Sequence, residues 1–154
     1  MIAVDQAEGL RRWARSRGVT PVQRQRAERT LVVVGLSGAG GGDVDEVSRL
    51  LRHWAQEGRH WVGDPGDWRI VPMDVASPYI PVLANQQPRW GLWVEHDRQG
   101  FRRAFRQIQA LAARGGPKRL LALHPPTLPR RGLLGNLQQA AADYFGTELL
   151  VLAR

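Results

Sequence analysis

The sequence predicts an α/β domain, a mainly parallel sheet of about five strands flanked by helices in three layers. Short apolar runs alternate along the chain with stretches of helical periodicity, the order that βαβ units produce. The first of these runs, Leu31 to Val34, is apolar without interruption, which suits a strand buried on both faces. The chain has 154 residues, the size of one domain able to bury roughly two-thirds of its unfolded surface.

Residues 1–29 read as an arm and residues 30–154 as the single domain. Within the arm, residues 5–16 set Ala7, Leu10, Trp13 and Ala14 on one side of a short helix, which Gly18 and Pro21 end. After the first strand and a glycine loop, a helix is expected from Asp43 to Gln56, with Val44, Val47, Leu51 and Trp54 as its apolar stripe. The turn Asp64-Pro-Gly-Asp67 leads into a second strand, Trp68 to Val71, ended by Pro72. A proline-bearing loop with a short helix over Ile80 to Asn85 follows, then a third strand from Trp90 to Glu95. The helix from Arg98 to Arg114 places Phe101, Phe105, Ile108 and Ala112 on one face and Arg98, Arg102, Arg103 and Arg106 on the other. Leu120 to Leu123 is a fourth strand, Leu133 to Phe145 a helix stopped by Gly146, and Glu148 to Ala153 a last strand.

Composition narrows the function classes. With no cysteine there is no disulfide framework and no thiolate metal site. No apolar stretch approaches the roughly 18 residues of a membrane span, and the first 18 residues hold no apolar run of signal-peptide length, so the cytoplasm is the expected location. The net charge is +8, unevenly placed: residues 98–131 carry eight Arg and Lys118 with no acid. Such a block is an electrostatic footprint for an acidic partner, nucleic acid included, or a solvated face in an arginine-rich chain.

The loop Gly35-Leu-Ser37-Gly38-Ala-Gly40-Gly41-Gly42 follows a strand and opens a helix, the setting of a phosphate-binding P-loop. Its first six residues fit the spacing. Gly41 stands where Lys would neutralise phosphate, and Gly42 where Ser or Thr would hold magnesium. Asp43, Asp45 and Glu46 then fill the first helical turn, so carboxylates of the chain itself satisfy the free N–H groups and the helix dipole. The loop reads as a tight turn before a self-capped helix.

At the carboxyl ends of the strands, where open parallel sheets build their sites, the sequence offers Ser37, Asp74, Glu95, His96, Asp97 and His124. Ser37 lacks the G-x-S-x-G elbow of an exposed nucleophile, and the histidines lack metal-ligand spacing. No catalytic residue, metal or cofactor is assigned. Among six tryptophans, Trp54 and Trp93 have core periodicity, while Trp61, Trp68 and Trp90 stand at element boundaries beside Arg59, Arg69 and Arg89, as a partner surface or as the rim of the core. Trp68, Arg69, Tyr79, Arg89 and Trp90 are the candidate partner-binding residues.

From residue 31 onward the order of segments resembles the SulA/ImuA group of degenerate RecA-like proteins. Trp68-Arg-Ile-Val, Pro78-Tyr-Ile-Pro-Val-Leu-Ala, Trp90-Gly-Leu-Trp-Val, Leu120-Leu-Ala-Leu and Leu137-Gln-Gln-Ala-Ala-Ala carry the resemblance. Asn85-Gln-Gln-Pro and the Pro- and Arg-rich stretch from His124 to Arg131 depart from it. The resemblance implies a RecA/Rossmann-like core without ATPase residues. It also implies action by protein contact, on the division protein FtsZ or on an error-prone DNA-repair polymerase component in the SOS response to DNA damage. Two alternatives stand beside it. Gly40-Gly-Gly-Asp-Val-Asp45 is similar to the glycine loop of ADP-ribose-binding macrodomains, and Leu121-Ala-Leu-His-Pro-Pro126 to a segment of cyclic-oligonucleotide sensors. The other alternative is a basic accessory that binds nucleic acid through residues 98–131.

Because the Lys and Ser/Thr of a working P-loop are replaced, the purified chain is expected to show no magnesium-dependent ATP hydrolysis. A phosphate-release assay checks this, and turnover that disappears on substituting Gly41 contradicts it.

Overall fold

In a computed structural model of the chain, residues 29–36 and 43–152 are described. The predicted arm, apart from Arg29, and the loop from Ser37 to Gly42 lie outside the described residues. Five strands form one sheet: β1 (Arg29–Val34), β2 (Trp68–Met73), β3 (Trp90–Trp93), β4 (Arg119–Leu123) and β5 (Glu148–Leu150). Their spatial order is β2-β1-β3-β4-β5, and every pairing is parallel. This is one of the two common doubly wound orders, with its switch point between β1 and β3.

Strand β1 explains the layering. Leu31, Val32, Val33 and Val34 are each no more than 2% exposed, so both faces of the strand are covered. Leu31 and Val33 join a core with Val47, Leu50, Leu51 and Trp54 of α1 (Val44–Gln56). Val32 and Val34 join the larger core built with α2 (Ile80–Gln86), α3 (Gly100–Ala113) and α4 (Gly135–Phe145). One face therefore carries three helices, and the other carries α1 with a short 3₁₀ turn at His60–Val62. On the α1 side of the β4–β5 half, Leu121 and Leu152 are half-buried and Leu150 is 43% exposed.

Local chemistry sets the element ends. Asp43 caps α1, its Oδ1 accepting from the Glu46 N–H at 2.8 Å, as the carboxylate pattern predicts. Gly146, at φ 62°, ends α4 in the left-handed conformation. Two expectations are corrected. Pro72 does not end β2, which runs on to Met73. β2 is an edge strand with one free side, and there a missing N–H is tolerated. The inner face of α3 is Ala104, Ile108 and Leu111, whereas Ala112 is exposed. Phe101 and Phe105 point sideways along the helix, half-buried, and Phe105 meets Phe145 of α4 at 5.1 Å between ring centres.

Two glycines are fixed by close approach. A Cβ on Gly91 would stand 2.6 Å from Leu123 Cδ1, and one on Gly100 would stand 2.1 Å from the Glu95 carbonyl oxygen. The second obstacle is backbone and cannot rotate away. Gly100→Ala is expected to destabilise the fold by about 1–3 kcal/mol, the usual cost of overpacking, read as a lower urea midpoint at unchanged slope.

Candidate functional site

The carboxyl edge of the sheet holds the polar residues that a catalytic reading would need, and most of those described have structural partners. Asp74 Oδ1 accepts from the Ala76 N–H at 2.9 Å, closing the turn after β2. Glu95 Oε2 accepts from the Trp93 indole at 2.9 Å. Asp97 accepts from the Gln99 N–H and from Arg103 Nη2, and the hydrogen bond from Arg103 is the main reason its carboxyl is held below the usual carboxylate range. His124, 3% exposed at the end of β4, has Nδ1 2.9 Å from the Pro125 carbonyl. Burial pushes its pKa down, so the ring is neutral and Nδ1–H donates to that carbonyl. Among the described residues its Nε2 has no hydrogen-bond partner. Ser37 lies outside the described residues. Between β1 and β3 the backbone is close-packed: a Cβ on Gly35, at φ 89°, would be 3.1 Å from the Trp93 carbonyl oxygen.

The amino edge is different. The turn at Asp64, whose Oδ1 accepts from the Gly66 N–H, delivers Trp68 to the first position of β2. The Trp68 indole donates to the Val62 carbonyl at 2.7 Å, and Arg29 Nη1 donates to the Trp61 carbonyl at 2.7 Å. Trp54, Trp61 and Trp68 follow one another at 5.8 and 6.1 Å between ring centres. Two guanidinium groups sit against the last ring, Arg29 at 5.6 Å and Arg89 at 5.9 Å from its centre. Each such contact contributes about 0.5–1 kcal/mol at a partly exposed site. It also holds a long side chain in one place.

These residues wall a groove of about 570 Å³. Its floor is the β4–β5 half of the sheet, with half-buried Leu121 and Leu152 and exposed Leu150, and Arg119 also lines it. No acidic side chain lines it among the described residues. Of the five predicted contact residues, Trp68, Arg89 and Trp90 meet here. Trp90 is only 2% exposed and its indole donates to the Gln87 carbonyl, so it supports the wall from the core. Arg69 is exposed and lines a separate hollow with Gly66 and Asp67. Tyr79, 67% exposed, precedes α2 at the carboxyl end of the sheet, whereas Arg89 follows that helix at the amino end. Seven helical residues, roughly 10 Å, separate the two ends.

The basic face divides as well. Arg98, Arg102 and Arg106 are exposed, but Arg103 is bonded to Asp97 and Arg119 to Glu148 at 3.1 Å. Acids from outside the 98–131 block thus offset part of its charge. Trp61, named in the sequence as a possible partner-surface tryptophan, lines the groove, and Arg29, Arg119 and Leu150 are groove residues that the sequence alone did not single out. Arg29 and Arg119 are the first residues of β1 and β4, and in a parallel sheet that position fixes one common edge.

The lowered pKa of His124 gives a pH dependence. Protonation of this ring favours the unfolded chain, so its contribution is whole above about pH 6.5 and is lost as pH falls below that value. Urea midpoints are expected to fall as pH drops below about 6.5, and His124→Gln is expected to flatten that slope. An unchanged slope in the variant contradicts the assignment. Compared with protein-family models, with curated proteins and with solved structures, the chain gives no match.

Proposed function

We propose that this protein acts without catalysis, by contact with a protein partner, in the manner of the SulA/ImuA group. On this reading its partner is FtsZ or a DNA-repair polymerase component, and it belongs to the SOS response. The observation that carries the contact reading is the groove at the amino edge. Small-molecule sites of doubly wound sheets form at the opposite, carboxyl edge, where the described acids and His124 are bonded within the chain. The amino edge instead combines an apolar floor, exposed at Leu150, with anchored Trp and Arg side chains, the composition of interface hot spots.

The test is a pull-down with FtsZ and with SOS polymerase components, comparing wild type with Arg89→Ala and Tyr79→Ala. Arg89→Ala is expected to weaken capture by about thirtyfold, the loss that follows truncation of an anchor worth about 2 kcal/mol. Tyr79→Ala, at the other end of the sheet, is expected to change capture little. Wild-type capture by Arg89→Ala contradicts the reading.

A second reading rests on α3, where Arg102 and Arg106 stand exposed one turn apart with Arg98 just ahead of the helix. On that reading α3 meets nucleic acid. Affinity for DNA or RNA then falls steeply with salt, and Arg102→Glu flattens the slope.

A further inference from the structure

We infer that the groove at the amino edge receives an acidic protein segment that also inserts an apolar side chain. This deepens the proposed contact function and rests on it. The argument is one of complementarity. The walls present three guanidinium groups, of which Arg119 is paired with Glu148 while Arg29 and Arg89 are not ion-paired among the described residues, and no carboxylate lines the groove there. Arg29 and Arg89 are held beside the Trp68 ring, and Arg29 spends only one of its donors on the Trp61 carbonyl. Arginines fixed in this way still offer paired donors to a carboxylate, with less side-chain entropy to lose.

The floor is aliphatic. Leu150 is 43% exposed on a sheet of a type that is normally covered on both faces. A purely anionic ligand leaves that floor wet, and a purely apolar one leaves Arg29 and Arg89 without counter-charge among the described residues, Arg119 being paired with Glu148. A segment carrying both kinds of side chain satisfies both.

Nucleic acid fits less well, because base recognition without base pairing uses aromatic faces as stacking platforms. Here the Trp68 ring already meets two guanidinium groups and the Trp61 ring. The chain's own first 28 residues carry six Arg against three acids, so their charge matches the sign of the groove walls. An acidic partner matches the opposite sign.

The experiment uses fluorescence anisotropy with the full chain and three labelled hexapeptides. The first alternates Glu with Phe and Leu, the second alternates Lys with the same apolar residues, and the third alternates Glu with Gly. The first is expected to bind at least tenfold more tightly than either of the others. Arg89→Glu and Leu150→Lys, both at exposed positions, are each expected to weaken that binding at least tenfold. Arg52→Glu, an equal charge change on the exposed side of α1, is expected to stay within twofold. Circular dichroism confirms that each variant is folded.

Failure of the first peptide to bind, or equal weakening by Arg52→Glu and Arg89→Glu, overturns the inference. The contact reading fails separately. If the chain captures a protein that Leu150→Lys captures equally well, contact stands and the groove assignment falls.

Discussion

Burial of β1 on both faces is the constraint on which the rest of the structure depends. Leu31 to Val34 alternate between two cores, so each face of the sheet needs its own layer of helix. One layer is complete, with α2, α3 and α4 side by side. The other is α1 with the turn that follows it. Since α1 connects β1 to β2, it lies over that half of the sheet, and among the described residues the β4–β5 half is less covered, with Leu150 exposed. The groove is the consequence of this unequal coverage. Its cations arrive because parallel strands begin at one edge, and charged residues commonly flank an apolar strand where it emerges from the core.

The arginines at that edge differ from those on α3 in how they are held. Arg29 and Arg89 lean on Trp68, and Trp68 is itself fixed by a hydrogen bond to Val62 and an edge contact with Trp61. Arg102 and Arg106 on the surface of α3, and Arg98 just ahead of it, stand in water. Solvated charges raise encounter rates and are screened within about 10 Å at 0.1 M salt. Charges anchored beside an apolar floor lose less entropy and exclude more water when a partner arrives. On physical grounds the solvated arginines are suited to attraction and the anchored ones at the groove to specificity.

Much of the fold was legible in the sequence because its signals are local. The continuous run Leu31–Val34, the Asp43 cap and the stripe ending in Trp54 depend only on near neighbours along the chain. Pro72 was misread because whether a strand is central or at an edge is decided by topology, which a proline does not announce. The inner face of α3 differs from the expected one because Phe101 and Phe105 share the apolar stripe in sequence, while their ring contacts run sideways: Phe101 stacks on Phe105, and Phe105 meets Tyr144 and Phe145 of α4. The groove was only partly legible. Trp68, Arg89 and Trp90 drew notice as Arg–Trp neighbours, but the site is assembled from the beginnings of four strands, and Leu150 looks like an ordinary strand residue until its uncovered side is known. Tyr79 and Arg69 were grouped with them by nearness in sequence, and α2 and the edge of β2 separate them in space.

The central claim is that the amino edge, and not α3 or the carboxyl edge, is where this protein meets its partner. The most direct measurement is the indole ¹H–¹⁵N spectrum of the chain, assigned by single Trp→Phe substitutions and titrated with a bound partner or the acidic–apolar peptide. The account predicts that the Trp61 and Trp68 indole signals move first and furthest, while Trp93, whose indole is bonded to Glu95 at the carboxyl edge, stays in place. Binding that leaves Trp61 and Trp68 unmoved, or that shifts Trp93 instead, contradicts it.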